Sequence, residues 1–353
     1  MIFSRISIKD KALFYENIAN LLEWWVTLTV ALKWLRDRLW TGKLKEAVDH
    51  LVFFIESGDA VNVAMRKLPN FFREQEVAIV ESGEQTGMIQ ESFLAIANDL
   101  RSQDELKSKI TSAMTYPVII MFFLLLAVTV VMVYVIPQLI PIISNMSSEL
   151  PIMTKALIDT STFVKENFLL LFLWWIWAWL IITGYLSSEI GAFQWDRQKL
   201  TLPLVWPVYK NYLIVRTMST FHLLSNSWVS IVKSTKLTWE SSWNAVIKKI
   251  YSAISDDIAS GNKISASMLA QDPEKSFFTP DIIQMIESAE RTSTISNIAA
   301  KISTQYKREV DFALANMVKY IEPVALLLAG IFVLWFAIAI FWAIMQIVGI
   351  AWQ

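Results

Sequence analysis

Apolar and polar positions follow two regimes along this chain, and the regimes meet twice. In the first, Leu13, Ile18, Leu21, Leu22, Trp25, Leu28, Leu32 and Leu35 are apolar, mostly three or four residues apart, and Lys11, Glu16, Glu23 and Lys33 are polar. That is the stripe of an amphipathic helix, and Asp10 is placed to cap its start. The same logic predicts helices over 44–55, closed at Ser57-Gly58, over 60–67 before Pro69, over 73–81, and from about 88 to 109. In the second regime polarity disappears. No charged residue occurs between Lys109 and Glu149, between Glu166 and Glu189, or after Glu322. Roughly 20 apolar residues cross a bilayer core, so three transmembrane helices are predicted. The first runs from about Pro117 to Ile136, with Pro137 and Pro141 loosening its far end, the second over 168–186, and the third from Glu322-Pro323 to about Met345. No stretch alternates with the period of a strand.

The junction between the regimes is duplicated. Phe71-Phe72 returns as Phe277-Phe278, Glu81-Ser82-Gly83-Glu84-Gln85-Thr86 as Glu287-Ser288-Ala289-Glu290-Arg291-Thr292, and Pro117 as Pro323, each 206 positions on. Ile89, Phe93, Ile96 and Leu100 fall on Ile295, Ala299, Ile302 and Tyr306, which lays one helical stripe in both copies. The fold class is all-α, a polytopic membrane protein with two repeated cytoplasmic helical bundles and three transmembrane helices. The predicted boundaries are 1–115 for the first bundle, 116–140 for the first span, 141–167 for a short periplasmic loop and 168–186 for the second span. The second bundle follows over 187–320, the third span over 321–348 and a periplasmic tail over 349–353. Gly83 and Gly87 mark a tight helix-helix corner, where a bulky side chain would obstruct a close approach or a positive φ. Thr279-Pro280-Asp281 reads as a helix start, with a Thr cap, Pro in the first turn and an acid at the positive helix end.

Composition agrees with a membrane protein that has large aqueous parts. Hydrophobic residues make up 55% of the 353, charged residues only 18%, and the mean hydropathy is +0.44. A net charge of −1 offers no case for nucleic acid. The absence of Cys removes disulfides and thiolate chemistry, and His50 and His222 have no ligand-like neighbours at helical spacing. The opening MIFSRISIKDKALFY has no apolar core of signal-peptide length, so no cleaved signal is expected. Arg101, Lys107 and Lys109 precede the first span, Arg197 and Lys199 follow the second, and Lys307, Arg308 and Lys319 precede the third, whereas the intervening loop has only Lys155 and Lys165. The positive-inside rule therefore puts both bundles and the N-terminus in the cytoplasm.

Chemistry is sparse. No phosphate-binding glycine loop, HExxH, GxSxG or CxxC string occurs, so no catalytic, cofactor or metal residue is assigned. Glu84 and Glu91 could share a divalent cation, but a solvated or partner-facing acidic surface is the preferred reading. The spans hold no Asp, Glu, Lys, Arg or His beyond Glu322 at the entry to the third, which disfavours a pump or secondary transporter. The alternative is a transporter or channel using the second span, whose Trp174, Trp175, Trp177 and Trp179 are read instead as packing against the other spans.

With its ESGEQTG and ESAERTS corners, each followed by an amphipathic helix and a Pro-marked bilayer boundary, the chain resembles the inner-membrane platform proteins of type IV pilus and type II secretion systems, the general secretion pathway protein F family. In that family each half carries a G-E-x-[ST]-G corner and a helix leading to Tyr-Pro. Gly83, Glu84, Thr86, Gly87, Tyr116 and Pro117 match, as does an LP-x-x-T string at Leu150-Pro151 and Thr154. Ala289, Ser293 and Glu322 depart from the pattern in the second copy, and Trp24-Trp25 stands where the family has a glycine. These departures suggest a type IVb-like or conjugative-pilus member. The resemblance implies a scaffold without enzymatic activity or cofactor that binds a cytoplasmic assembly ATPase, pilin or pseudopilin subunits and other inner-membrane assembly proteins, and that self-associates. It makes Glu84 and Glu290 either corner-stabilising or partner-facing acids, and Tyr116, Pro117 and Pro323 the bilayer boundary.

Overall fold

The computed structural model describes residues 6–38, 42–144, 152–186, 188, 191, 194–195, 198, 206–240 and 244–351. Among them every regular element is helical. In chain order these are α1 (Ile8–Glu23), α2 (Leu28–Arg38), α3 (Lys43–Glu56), α4 (Val61–Arg66), α5 (Glu74–Thr86), α6 (Ile89–Val130), a π-turn (Val131–Val135), α7 (Ile136–Ser144), α8 (Ile152–Glu166) and α9 (Phe168–Leu186). Then follow α10 (Trp206–Asn226), α11 (Ile231–Glu240), α12 (Ala245–Ala259), α13 (Ile264–Gln271), α14 (Pro280–Thr292) and α15 (Ile295–Ala351). They form two compact units, Met1–Lys109 with Asp196–Ala313, and Ile110–Trp195 with Leu314–Gln353.

The first unit holds both repeats, each of six helices. Upstream of the matched motifs the repeat keeps a different spacing. The starts of α2 and α11 (231 − 28) and of α4 and α13 (264 − 61) are 203 apart, and so are the left-handed residues Gly58 and Gly261. From α6 and α15 onward (295 − 89) the offset is 206. The three extra residues lie between the start of α13 and Phe277. The carboxylate of buried Asp272 organises that stretch by accepting N–H bonds from Ser276, Phe277 and Phe278 at 3.1, 2.8 and 2.7 Å.

The first repeat buries Tyr15, Ile18, Leu32, Val48, Ile79 and Ile96, each aliphatic worth about 1.5–3 kcal/mol of transfer free energy. One polar group is built into this core. The Lys11 ammonium lies 2.6 Å from the Glu76 carboxylate, Tyr15 donates its hydroxyl to the same carboxylate at 2.9 Å, and Lys11 also reaches the Phe71 carbonyl. Burial pushes the Lys11 ammonium down and the Tyr15 phenol well up, and the Glu76 carboxylate opposes the shift of Lys11. In the second repeat the corresponding positions, offset by 203 and 206, are Ile214, Met218 and Ile282, all buried. One backbone thus accepts either an ion pair or apolar side chains here.

Among the described residues, three helices are long and apolar enough to cross a membrane, Ile89–Pro141, Phe168–Leu186 and Ile295–Trp342. Two expectations need correction. The amphipathic segment and the apolar span are not separate helices, because α6 and α15 run through Pro117 and Pro323 without a break. A proline removes one hydrogen bond from an otherwise intact helix, and the flanking turns tolerate it. The segment read as a short loop over 141–167 is helical over Ile152–Glu166, while 145–151, including Leu150-Pro151, lies outside the described residues, as do the connector 199–205 and the end of the tail, 352–353.

Helix α8 is held by hydroxyls. In the π-turn the Ile136 N–H bonds to the Val131 carbonyl, five residues back, and the next donor in that register would be residue 137, a proline without an N–H. The Met132 carbonyl is therefore orphaned, and buried Ser161 donates to it at 2.5 Å. Thr154, the last residue of the LP-x-x-T string, donates to the Ala339 carbonyl at 2.6 Å. Leu157 fills the space between with Met132, Ile136 and Ala339. Helix α9 buries none of its residues within the chain, so its tryptophans do not pack on the other spans, and Trp175 and Trp179 stack on each other at 6.1 Å.

Two stability effects are expected. Glu76→Ile strands the Lys11 charge and costs about 3–5 kcal/mol in denaturant unfolding, whereas the triple variant Lys11→Ile, Tyr15→Met, Glu76→Ile, which copies the second repeat, restores most of it. Ser161→Ala leaves the Met132 carbonyl unsatisfied and lowers stability by about 1–3 kcal/mol in calorimetry.

Candidate functional site

Both repeats turn the corner before their long helix in the same way with different side chains. Helix α5 ends at Thr86, and Gly87 closes it at φ 76°, in the left-handed region that glycine adopts without strain. Gly83, one turn earlier, answers a different constraint. A Cβ there would stand 2.9 Å from the Ser92 Cβ and 3.0 Å from the Met88 carbonyl oxygen, because the first turn of α6 crosses directly over it. The Thr86 hydroxyl donates to the Ser82 carbonyl at 2.8 Å, satisfying one of the free carbonyls at the helix end. In the second repeat Ser293 closes α14 at φ 55°, Ala289 takes the place of Gly83 and is fully buried, and Thr292 donates to the Ser288 carbonyl at 3.0 Å. The corner survives without glycine, at a backbone strain of roughly 1 kcal/mol for serine in this conformation.

Glu84 and Glu290 do the same work in the two copies. The Glu84 carboxylate accepts the Val61 and Asn62 N–H groups at 2.7 and 2.9 Å, two of the donors that the start of α4 leaves unpaired. Glu290 accepts from the Ile264 N–H, from the Ser265 N–H at 3.4 Å and from the Ser265 hydroxyl, at the start of α13. Each glutamate locks its own helix to the start of the short helix immediately upstream. Its charge is complemented by the helix dipole, so both acids are committed inside their own repeat. No group of three or more metal-ligating side chains occurs among the described residues.

The corner helix α5 also builds the seam between the repeats. It packs against α10 and α11; Leu224 and Leu237 of these helices, with Val229 of the turn between them, join the first repeat's core. Gln75 donates to the Leu237 carbonyl at 2.8 Å, and Lys233 donates to Glu81 at 2.8 Å, which holds the Glu81 carboxyl below its usual range. Along α6, Ser219 donates to Asp99 at 2.9 Å, Arg216 donates to Gln103, and Lys109 bonds Asp311 on α15 at 2.9 Å.

Gly83, Glu84, Thr86 and Gly87 are therefore brought together, and Glu290 heads the matching corner. Tyr116, half exposed on α6, together with Pro117 and Pro323, belongs to the other unit. Sequence reasoning missed Gln75 and Lys233, which carry no motif, and Ser161, whose only signal is the 154, 157, 161 spacing of small polar and apolar positions on one helical face.

Comparison with known proteins places these features. The family described as type II secretion system (T2SS), protein F, matches residues 14–137 and 218–343, one match per repeat. A type IV pilus assembly protein PilC of Thermus thermophilus is 30% identical over 97% of this chain and 83% of its own length. The PilC of Pseudomonas aeruginosa is 24% identical over 97% of this chain and 91% of its own length. The type II secretion system protein F of the same organism is 24% identical over 98% and 85%.

Glu84→Ala should cost about 1–3 kcal/mol, the scale of a hydrogen-bonded charge lost from a helix start. Ser293→Gly should gain about 0.5–1 kcal/mol by relieving the left-handed serine, and Gly87→Ala should lose about 1 kcal/mol. Denaturant titration of the purified variants checks all three signs.

Proposed function

We propose a scaffold role on one premise: the chain belongs to the type II secretion system protein F family, whose match spans both of its helical repeats. Its function is that of a platform protein for type IV pilus assembly or type II secretion, and it is a protein of the inner membrane. The observation that carries the finer reading is the continuity of α6 and α15, each of which runs from an amphipathic segment of a repeat into an apolar span. A helix transmits rotation and tilt along its axis because every turn is hydrogen-bonded to the next. In this reading both repeats are cytoplasmic, with the N-terminus, in keeping with the basic residues at the inner ends of the spans. A cytoplasmic assembly ATPase acts on the repeats, and the motion reaches pilin or pseudopilin subunits held beside the spans. The protein does this by contacts rather than by catalysis, self-associates, and neighbours other inner-membrane assembly proteins.

Disrupting the corner should uncouple the repeats from the spans. A Gly83→Trp, Gly87→Trp double variant is expected to abolish surface filaments or secreted substrate while the amount of processed pilin or pseudopilin stays unchanged in immunoblots. Normal filaments from that variant would count against the reading. Reporter fusions that place 1–115 and 187–320 on opposite sides of the membrane would remove the shared docking role.

A further inference from the structure

The two repeats treat one face of the module in opposite ways. In the second repeat the face between α10 and α11 is covered by α5, with Leu237 buried to 4% exposure and Lys233 paired to Glu81. In the first repeat the corresponding face, between α1 and α2, is open. It forms a groove of about 620 Å³ with Leu21 and Leu35 among its lining, Trp24 and Trp34 beside them, and Glu23 and Asp37.

The substitutions across the offset of 203 change what this face accepts. Leu237 becomes Trp34, Ser227 becomes Trp24, Asn226 becomes Glu23, and Lys233 becomes Val30. Trp24 and Trp34 are 75% and 54% exposed. Both turns are closed by a left-handed tryptophan, Trp25 at φ 60° and Trp228 at φ 61°, so what separates the two faces is Trp24 and Trp34. The cation that receives an acidic helix in the second repeat is replaced by Val30. The groove instead carries Glu23, which has no ion pair among the described residues, while Asp37 shares its carboxylate with Arg36 at 3.0 Å. Exposed indole faces beside a carboxylate favour a cation, by cation–π attraction and by charge.

We propose that the α1–α2 groove of the first repeat is a docking site for a helix of a partner protein that presents lysine or arginine to Trp24, Trp34 and Glu23. That the occupant is a helix follows from the second repeat, where the same face receives α5. A second copy of this chain fits less well, since its equivalent of α5 is α14, which carries Asp281, Glu287 and Glu290 against a single cation, Arg291, already paired with Glu287, toward a groove that is itself acidic.

The test uses the full chain in phosphatidylcholine nanodiscs and a fluorescein-labelled, alanine-rich helical peptide with lysines along one face, followed by fluorescence anisotropy. The lysine peptide is expected to bind, with affinity falling about tenfold in Trp34→Ala and in Glu23→Gln, and Trp34→Phe retaining most of it. The same peptide with glutamate for lysine is expected not to bind. Equal binding of both peptides, or unchanged affinity in the variants at native helicity, would overturn the proposal. Because the chain has no Cys, Trp34→Cys with Ser288→Cys tests the other occupant, and a high yield of disulfide-linked dimer under mild oxidation would assign the groove to a second copy instead. Peptide binding is read without filament assembly, so its failure is distinct from failure of the platform role.

Discussion

Helix α5 is buried on every side between Val77 and Val80, four consecutive residues with at most 1% exposure, and the first unit depends on that sandwich. A helix with one apolar stripe needs one partner, whereas a helix that is apolar all round must be enclosed. Its inner side fills the core of its own repeat, and its outer side receives Leu224, Val229 and Leu237 from the second. The repeats are therefore not two independent bundles. Each kcal/mol lost at α5 is lost from both, because burying it is what joins them.

The second unit meets a different constraint with similar economy. A helix that contains proline in an apolar setting must find a new donor for each carbonyl left behind, since a buried unsatisfied group costs more than a hydrogen bond returns. The π-turn over Val131–Val135 leaves one such carbonyl at Met132, and Ser161 answers it. Together with the Thr154 bond to Ala339, this makes α8 a strut joined to both the first and third spans within that unit.

Duplication lets the chain test its own tolerances. The corner holds with Gly83 and Gly87 or with Ala289 and Ser293, and the buried site beneath α1 holds with Lys11, Tyr15 and Glu76 or with Ile214, Met218 and Ile282. What does not vary is the carboxylate at the corner. Glu84 and Glu290 both reach back to a short helix start, because no uncharged side chain satisfies two adjacent backbone donors as well. The seam face is the opposite case. There one copy is filled and the other open, and the side chains have diverged accordingly.

The sequence by itself determined the helical class, the three apolar spans, the duplication and the position of the corner. Those properties are written in local periodicity, in runs without charge and in glycine placement, all of which act within a few residues. It also located Glu84 and Glu290 without deciding between an internal and an outward role, since the direction of a carboxylate depends on what lies opposite. Only the tertiary structure decided that both turn inward, that Gly83 serves a crossing and Gly87 a dihedral angle, and that the segment read as a loop is a helix pinned by hydroxyls. It alone revealed that the upstream helices of the repeat keep an offset of 203, hidden by three residues inserted before Phe277. The physical reason is common to all of these: each rests on a contact between residues far apart in the chain, and burial and hydrogen-bond satisfaction across such distances leave no periodic trace.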